Sequence, residues 1–249
     1  MMDNIILVGD SIFDNAPYVA DGQTVADHLQ HELRNEAEVT LLAVDGSFAN
    51  EVPGQLRKLP RSATHLFMSA GGNDALGART ALDGFSLEAG GPDRAAAPDS
   101  AGSPDAAGEL EELRGPDSRR VLKELGSATH LLDVLSILQH EFARNYEKAL
   151  SSVRKTGLPA VACTVYDSIP HLEARYRTAL SVFNDHIIRR AAAFGFPVLD
   201  LRAICNEEAD YAPVSPIEPS DTGGRKIAAA IARVYRRDRA GGVVTEIWS

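Results

Sequence analysis

The sequence predicts an α/β protein: a five-stranded parallel sheet with helices on both faces. Five short apolar runs carry the prediction, at residues 5–8, 39–44, 65–70, 159–165 and 197–199, most of them closed by glycine or a polar turn residue. Continuous apolar runs of this length are the mark of strands buried on both sides. Between the runs, apolar residues recur at helical spacing, and strands alternating with helices build a parallel sheet covered on both faces.

In chain order, Ile5-Ile6-Leu7-Val8 is the first strand, stopped by Gly9. Thr24 is placed to cap a helix whose apolar face includes Val25, Leu29 and Leu33. The second strand, Val39 to Val44, stops at Asp45-Gly46. Val52, Leu56 and Leu59 mark a short helix with Pro53 near its start. His65 to Ala70 is the third strand, ended by Gly71-Gly72.

The pattern then breaks. Residues 84–115 are rich in Ala, Gly, Pro, Asp and Ser with almost no aliphatic periodicity, which predicts a mobile insertion in an otherwise single domain spanning 1–249. Periodicity returns at Leu131, Leu135, Leu138 and Phe142, a helix running towards Arg154 and ended by Gly157. Pro159 to Val165 is the fourth strand, Ala174 to Phe194 a helix closed by Gly195, and Pro197-Val198-Leu199 the fifth strand. A last helix runs from Gly224 to about Tyr235.

Composition narrows the function. The 249 residues are 44% hydrophobic and 24% charged, with a formal net charge of −10, as in soluble globular proteins. That field repels phosphate backbones, so no nucleic-acid partner is expected. Arg233, Arg236, Arg237 and Arg239 read as a solvated last helical turn. No run is long enough for a membrane span and no basic leader precedes the first strand, so a cytoplasmic protein is expected. Cys163 and Cys205 form neither a disulfide framework nor a metal-ligand spacing and read as buried, inert thiols.

In a sheet of this kind ligands bind outside the carboxyl ends of the strands. Ser11, Gly46 and Asn73 follow strands one, two and three, so all three fall at that edge. A serine just after a strand can present its hydroxyl to a cleft. Its own N–H, the N–H of Gly46 and the Asn73 amide can aim at one point, where three donors would stabilise a developing oxyanion.

Gly9-Asp10-Ser11, the isolated Gly46 and Gly72-Asn73-Asp74, in order and each after a strand, resemble the first three blocks of the SGNH, or GDSL, hydrolase superfamily. The resemblance spans nearly the whole chain apart from the insertion. It implies a three-layer, flavodoxin-like fold, with Ser11 as nucleophile and Ser11, Gly46 and Asn73 as the oxyanion hole. It also implies a small-molecule substrate bearing a carboxylic ester, thioester or sugar acetyl group, and no metal or organic cofactor.

The fourth block departs from the family. Where the family has an aspartate, two residues and then a histidine, this chain reads Ser215-Pro216-Ile217-Glu218-Pro219-Ser220, then Gly223-Gly224. Glu218 stands in the histidine position and Ser215 in the aspartate position. Glu218 can act as general base in the histidine's stead, and a carboxylate needs no aspartate to fix a tautomer. An unperturbed glutamate, with a pKa near 4.3 against about 6.5 for histidine, is the weaker base by roughly 3 kcal/mol. Slow turnover or an acid-shifted pH profile follows unless burial under the insertion raises that pKa. A second account gives the role to His171, after the fourth strand; a third has the protein catalytically impaired and binding a small ligand or partner.

Around the site, Asp14 and Asn15 either line the cleft or stabilise a turn. Asp74 orients the Asn73 loop or caps the helix after it. Asp167 faces the cleft or ends its strand, Asp210-Tyr211 could anchor the Glu218 loop, and Asp200 with Arg202 reads as a local ion pair. A nucleotide-binding fold is disfavoured by the lack of a glycine-rich phosphate loop. A metal-dependent phosphohydrolase would have to use Asp10, Asp14 and Asp74.

Overall fold

The first apolar run becomes the strand from which the sheet grows in both directions. In the computed structural model, which describes residues 2–20, 22–77 and 116–239, β1 (Asp3–Gly9) pairs in parallel with β2 (Ala37–Leu41) on one side and β3 (His65–Ser69) on the other. Beyond β3 lie β4 (Ala160–Cys163) and β5 (Val198–Leu199), also parallel. The order is β2-β1-β3-β4-β5. The chain winds outward one way to β2 and the other way to β5. Right-handed crossovers therefore set the two groups of helices on opposite faces.

Among the described residues the helices include α1 (Val25–Glu32), the short α2 (Val52–Gln55), α3 (Pro116–Lys155), α4 (Ala174–Ala193) and α5 (Asp221–Arg239), and residues 72–77 are also helical. α1 packs on α5, through Val25, Leu29, Ile227 and Ile231, all fully buried. On the other face Phe142 of α3 meets Phe183 of α4, with ring centroids 5.1 Å apart. The strand interiors, Ile5 to Val8 and Leu66 to Met68, are buried between these layers. The chain divides into two compact units, residues 1–77 with 139–249, and residues 78–138. The insertion expected at 84–115 lies outside the described residues.

The Thr24 cap forms as a full capping box: its hydroxyl accepts the Asp27 N–H at 3.1 Å, and the Asp27 carboxylate accepts the Thr24 N–H at 3.0 Å. Arg236 of the C-terminal arginine group pairs with Glu32 at 2.8 Å and Glu36 at 2.7 Å, which ties α5 to the end of α1. Several boundaries differ from the periodicity, among them the start of α3 at Pro116 rather than Leu131. β2 ends at Leu41, because Leu42 and Ala43 both donate to the Leu7 carbonyl, at 2.8 and 2.9 Å, and this irregular step breaks the ladder. α5 starts at Asp221 rather than Gly224, since the Ser220 hydroxyl accepts the Gly223 N–H at 3.1 Å as an N-cap. The segment carrying Glu218 is a strand and not a loop: β7 (Ser215–Pro219) pairs antiparallel with β6 (Tyr211–Ala212).

Gly9 has φ +128°, and a Cβ there would strike the Ser69 carbonyl on β3. Only glycine lets β1 and β3 stay paired as far as Ser69 while the chain turns into Asp10. Gly9→Ala is expected to destabilise the fold by roughly 4 kcal/mol or more, read as a drop in the urea midpoint; a midpoint within experimental error of the parent would refute the steric reading.

Candidate active site

At the carboxyl end of β1 the chain turns within a shell of buried hydrogen bonds. Gln55 of α2 grips the last residue of the strand: its Oε1 accepts the Gly9 N–H and its Nε2 donates to the Gly9 carbonyl, both at 2.7 Å. The next residue, Asp10, is 1% exposed. Its carboxylate accepts the Ile12 N–H at 3.2 Å, the Ser69 hydroxyl at 3.2 Å and the Gly72 N–H at 3.3 Å. Asp10 thus braces the Ser11 turn against the ends of β3 and the Gly72 loop. Burial pushes its carboxyl up to about 7 against the pull of these three donors, and the charge of Glu218 adds to the rise.

Ser11 is 7% exposed and Glu218 6%. They come together although 207 positions separate 11 from 218 in the numbering. Burial pushes the Glu218 carboxyl up to about 7; a hydrogen bond from the Ser11 hydroxyl opposes the rise and the charge of Asp45 adds to it. The second carboxylate oxygen, Oε2, is buried with no hydrogen-bond partner among the described residues. Several contacts hold Glu218 in place. Tyr166 Oη donates to the Ile217 carbonyl at 2.7 Å. Asn15 Nδ2 donates to the Pro219 carbonyl at 3.1 Å while its Oδ1 accepts the Val25 N–H at 3.0 Å. Ser220 N–H donates to the Asp210 carbonyl at 2.9 Å, so Asp210-Tyr211 anchors this segment as expected.

Gly46 has φ +78°, and the space a Cβ would occupy is open to 4 Å, which leaves the turn approachable from that side. Asn73 reaches the same turn, its Nδ2 donating to the Ser47 carbonyl at 3.0 Å. That bond uses one of the two amide hydrogens. The Ser11 loop joins them through Asp14, whose carboxylate accepts the Asp45 N–H at 3.0 Å.

The remaining candidates separate. His171 is exposed on a left-handed turn, φ 60°, and the side chain whose carboxyl the Ser11 hydroxyl acts on is that of Glu218. Asp74 ties its own stretch to the neighbouring turn, its carboxylate accepting the Ala49 N–H at 3.0 Å as well as its own backbone N–H. Asp200 and Arg202 form the local ion pair, Oδ2 to Nη2 at 2.6 Å. Asp10, Asp14 and Asp74 turn to three different sets of backbone amides, and no group of three or more His, Cys, Asp or Glu among the described residues is placed to hold a metal ion. Asn15, expected to line the cleft or stabilise a turn, instead links β7 to the start of α1; Gln55 and Tyr166 were not legible as site supports. A polar residue at 55 beside the apolar positions of a short helix was the one available signal, and it named no partner.

Residues 7–226 match the GDSL-like lipase/acylhydrolase family. The chain belongs to that family. No curated protein matched the sequence. Among solved structures, the lipase Lip_vut3 from a goat rumen metagenome is similar with a TM-score of 0.58 at 16% identity, over 94% of this chain and 97% of that one. An extracellular lipase from Streptomyces rimosus gives a TM-score of 0.57 at 14% identity, over 94% and 99% of the two chains. The acetyl xylan esterase AlAXEase gives 0.57 at 14% identity, over 93% and 98%. Identities this low establish a shared fold: the α/β sandwich of GDSL-like hydrolases.

In this GDSL-like protein the buried acid has a stability consequence. Glu218 is raised when folded, so between pH 4.5 and about 7 the folded state holds a proton that the unfolded state has lost. Stability therefore falls as pH rises through that window, and Asp10 acts with the same sign. Glu218→Gln, which removes the buried charge, is expected to raise stability by on the order of 2 kcal/mol at pH 8 and by much less at pH 5. Denaturant melts at the two pH values measure this; a stability gain of equal size at both would remove the charge-burial account.

Proposed function

We propose that the protein hydrolyses a carboxylic ester through a Ser11 acyl-enzyme, with Glu218 as general base. The observation that supports this most is the buried Glu218 carboxylate beside Ser11, raised by burial to about 7 against the opposing effect of the Ser11 hydroxyl. At that value a glutamate matches a histidine in basicity, and the acid-shifted profile expected of an ordinary glutamate no longer follows. The Ser11 Oγ–H bond breaks as its proton passes to Glu218, and Oγ bonds the ester carbonyl carbon. The resulting oxyanion takes hydrogen bonds from the N–H groups of Ser11 and Gly46 and from the Asn73 amide hydrogen not used on Ser47. Glu218 returns the proton to the leaving alcohol. Water, deprotonated by the same carboxylate, then releases the acid and restores Ser11.

Solved structures sharing the fold include lipases and an acetyl xylan esterase, which places carboxylic esters and sugar acetates among the substrate classes to try. A thioester fits the same chemistry. Among the described residues no helix is long and apolar enough to cross a membrane. The free, buried Cys163 and Cys205 are compatible with the reducing cytoplasm.

A fluorophosphonate is expected to label the parent at Ser11 and to leave Ser11→Ala unlabelled. With chromogenic short-chain esters, Glu218→Gln is expected to lose about 10²- to 10⁴-fold in kcat/KM, and Asn73→Ala about 10²- to 10³-fold. The parent kcat/KM should climb through about pH 7 as Glu218 ionises and then level off. Full activity in Glu218→Gln sinks its role as base; absence of both labelling and turnover would leave a ligand-binding protein on a hydrolase fold.

A further inference from the structure

At the edge of the sheet remote from Ser11, one face is incompletely covered. A cavity of about 300 Å³ opens there, where β3, β4 and β5 begin. Leu158 before β4, Phe196 before β5, and Val234 and Tyr235 of α5 line it, together with Phe67 and Val161 of the sheet. Leu7, Phe67 and Val161 are successive register partners on β1, β3 and β4, so their side chains share one face. Leu7 is 0% exposed and Phe67 2%, whereas Val161 is only half-buried. Cys163, the next residue on that face of β4, is fully buried. The cover over this face therefore fails at the start of β4.

An inner strand of a parallel sheet is ordinarily covered on both faces. Leu158, Phe196 and Val234 are half-buried as well, and a contiguous apolar opening of this kind calls for an occupant. The chain itself supplies one. The described residues end at Arg239, one helical turn beyond Tyr235. The sequence continues Ala240-Gly241-Gly242-Val243-Val244-Thr245-Glu246-Ile247-Trp248-Ser249. Gly241-Gly242 permits a reversal of the chain. Residues 236–239 carry the helix about 6 Å past the cavity wall, and residues 240–248 can span up to about 30 Å, more than enough to return. At helical spacing Val244, Ile247 and Trp248 fall on one side and Glu246 on the other. That side matches the apolar lining of the cavity.

We propose that this cavity is the docking site of the chain's own residues 243–248, with Trp248 seated beside Val161, Phe196 and Val234, completing the cover of the sheet. Trp248 is the only tryptophan in the chain, so intrinsic fluorescence reads its surroundings alone. In the folded full-length protein its emission is expected to lie to the blue of that in urea, with acrylamide quenching several-fold weaker. Leu158→Arg places a charge at the cavity, and Ile247→Asp places one on the docking segment. Each is expected to shift the emission to the red, to restore quenching and to lower the urea midpoint, with the far-ultraviolet circular dichroism unchanged.

Emission and quenching of Trp248 in the folded parent equal to those in urea overturn the inference. So does either variant if it folds and leaves both signals unchanged. Should Leu158→Arg fail to fold, Ile247→Asp decides alone, because it alters none of the contacts described above. Shielding of Trp248 that disappears on dilution puts the segment in the cavity of a second copy and overturns docking within one chain; shielding independent of protein concentration upholds it.

Discussion

A carboxylate kept from water is the constraint on which the site depends. Glu218 sits against the Ser11 hydroxyl with one oxygen unpartnered, an arrangement that works against folding and that the surrounding contacts must overcome. Those contacts are mostly neutral. Tyr166 and Asn15 hold the backbone on either side of Glu218, at the Ile217 and Pro219 carbonyls, and the β6–β7 pairing fixes the strand. None of them donates to the carboxylate, so none draws its pKa back down. The fold positions the acid without neutralising it, the condition that the proposed role of Glu218 as base requires.

The same economy governs the nucleophile turn. Gln55 takes both polar groups of Gly9, so the strand end closes its hydrogen bonds where the ladder to β2 becomes irregular. Asp10 takes donors from its own turn at Ile12 and from Ser69 and Gly72 at the end of β3, and a Cβ at Gly72 would come within 3.2 Å of the Asp10 carboxylate. Each loop at this edge is thus tied to a neighbour rather than to its own strand. Asp14 links to Asp45, Asn73 to Ser47, and Asp74 to Ala49.

Membership of the GDSL-like family rests on residues 7–226. On the function proposed above, Glu218 takes the place of the family's histidine and Ser215, three positions earlier, that of its aspartate. On that proposal the two changes belong together physically. An imidazole needs an acid to hold its tautomer; a carboxylate needs only a partner proton and a dry setting. The dry setting lies at the carboxyl edge of the sheet, where the order β2-β1-β3 reverses the direction of winding and opens the crevice that such sheets use for ligands.

The sequence by itself determined the five strands, the helices between them and the edge on which Ser11, Gly46 and Asn73 lie, and it singled out Glu218 as the acid to look for there. These are local properties: apolar period, caps such as Thr24, and turn residues such as Gly46, each read within a few positions. Tertiary structure alone decided that Glu218 lies on a paired strand, that His171 is exposed, and that Asp10, Asn15 and Gln55 are supports. It alone also decided how basic Glu218 is. Burial and hydrogen bonding between residues such as 15 and 219, or 9 and 55, depend on how distant segments pack, and a pKa is set by that packing and not by the side chain's own chemistry.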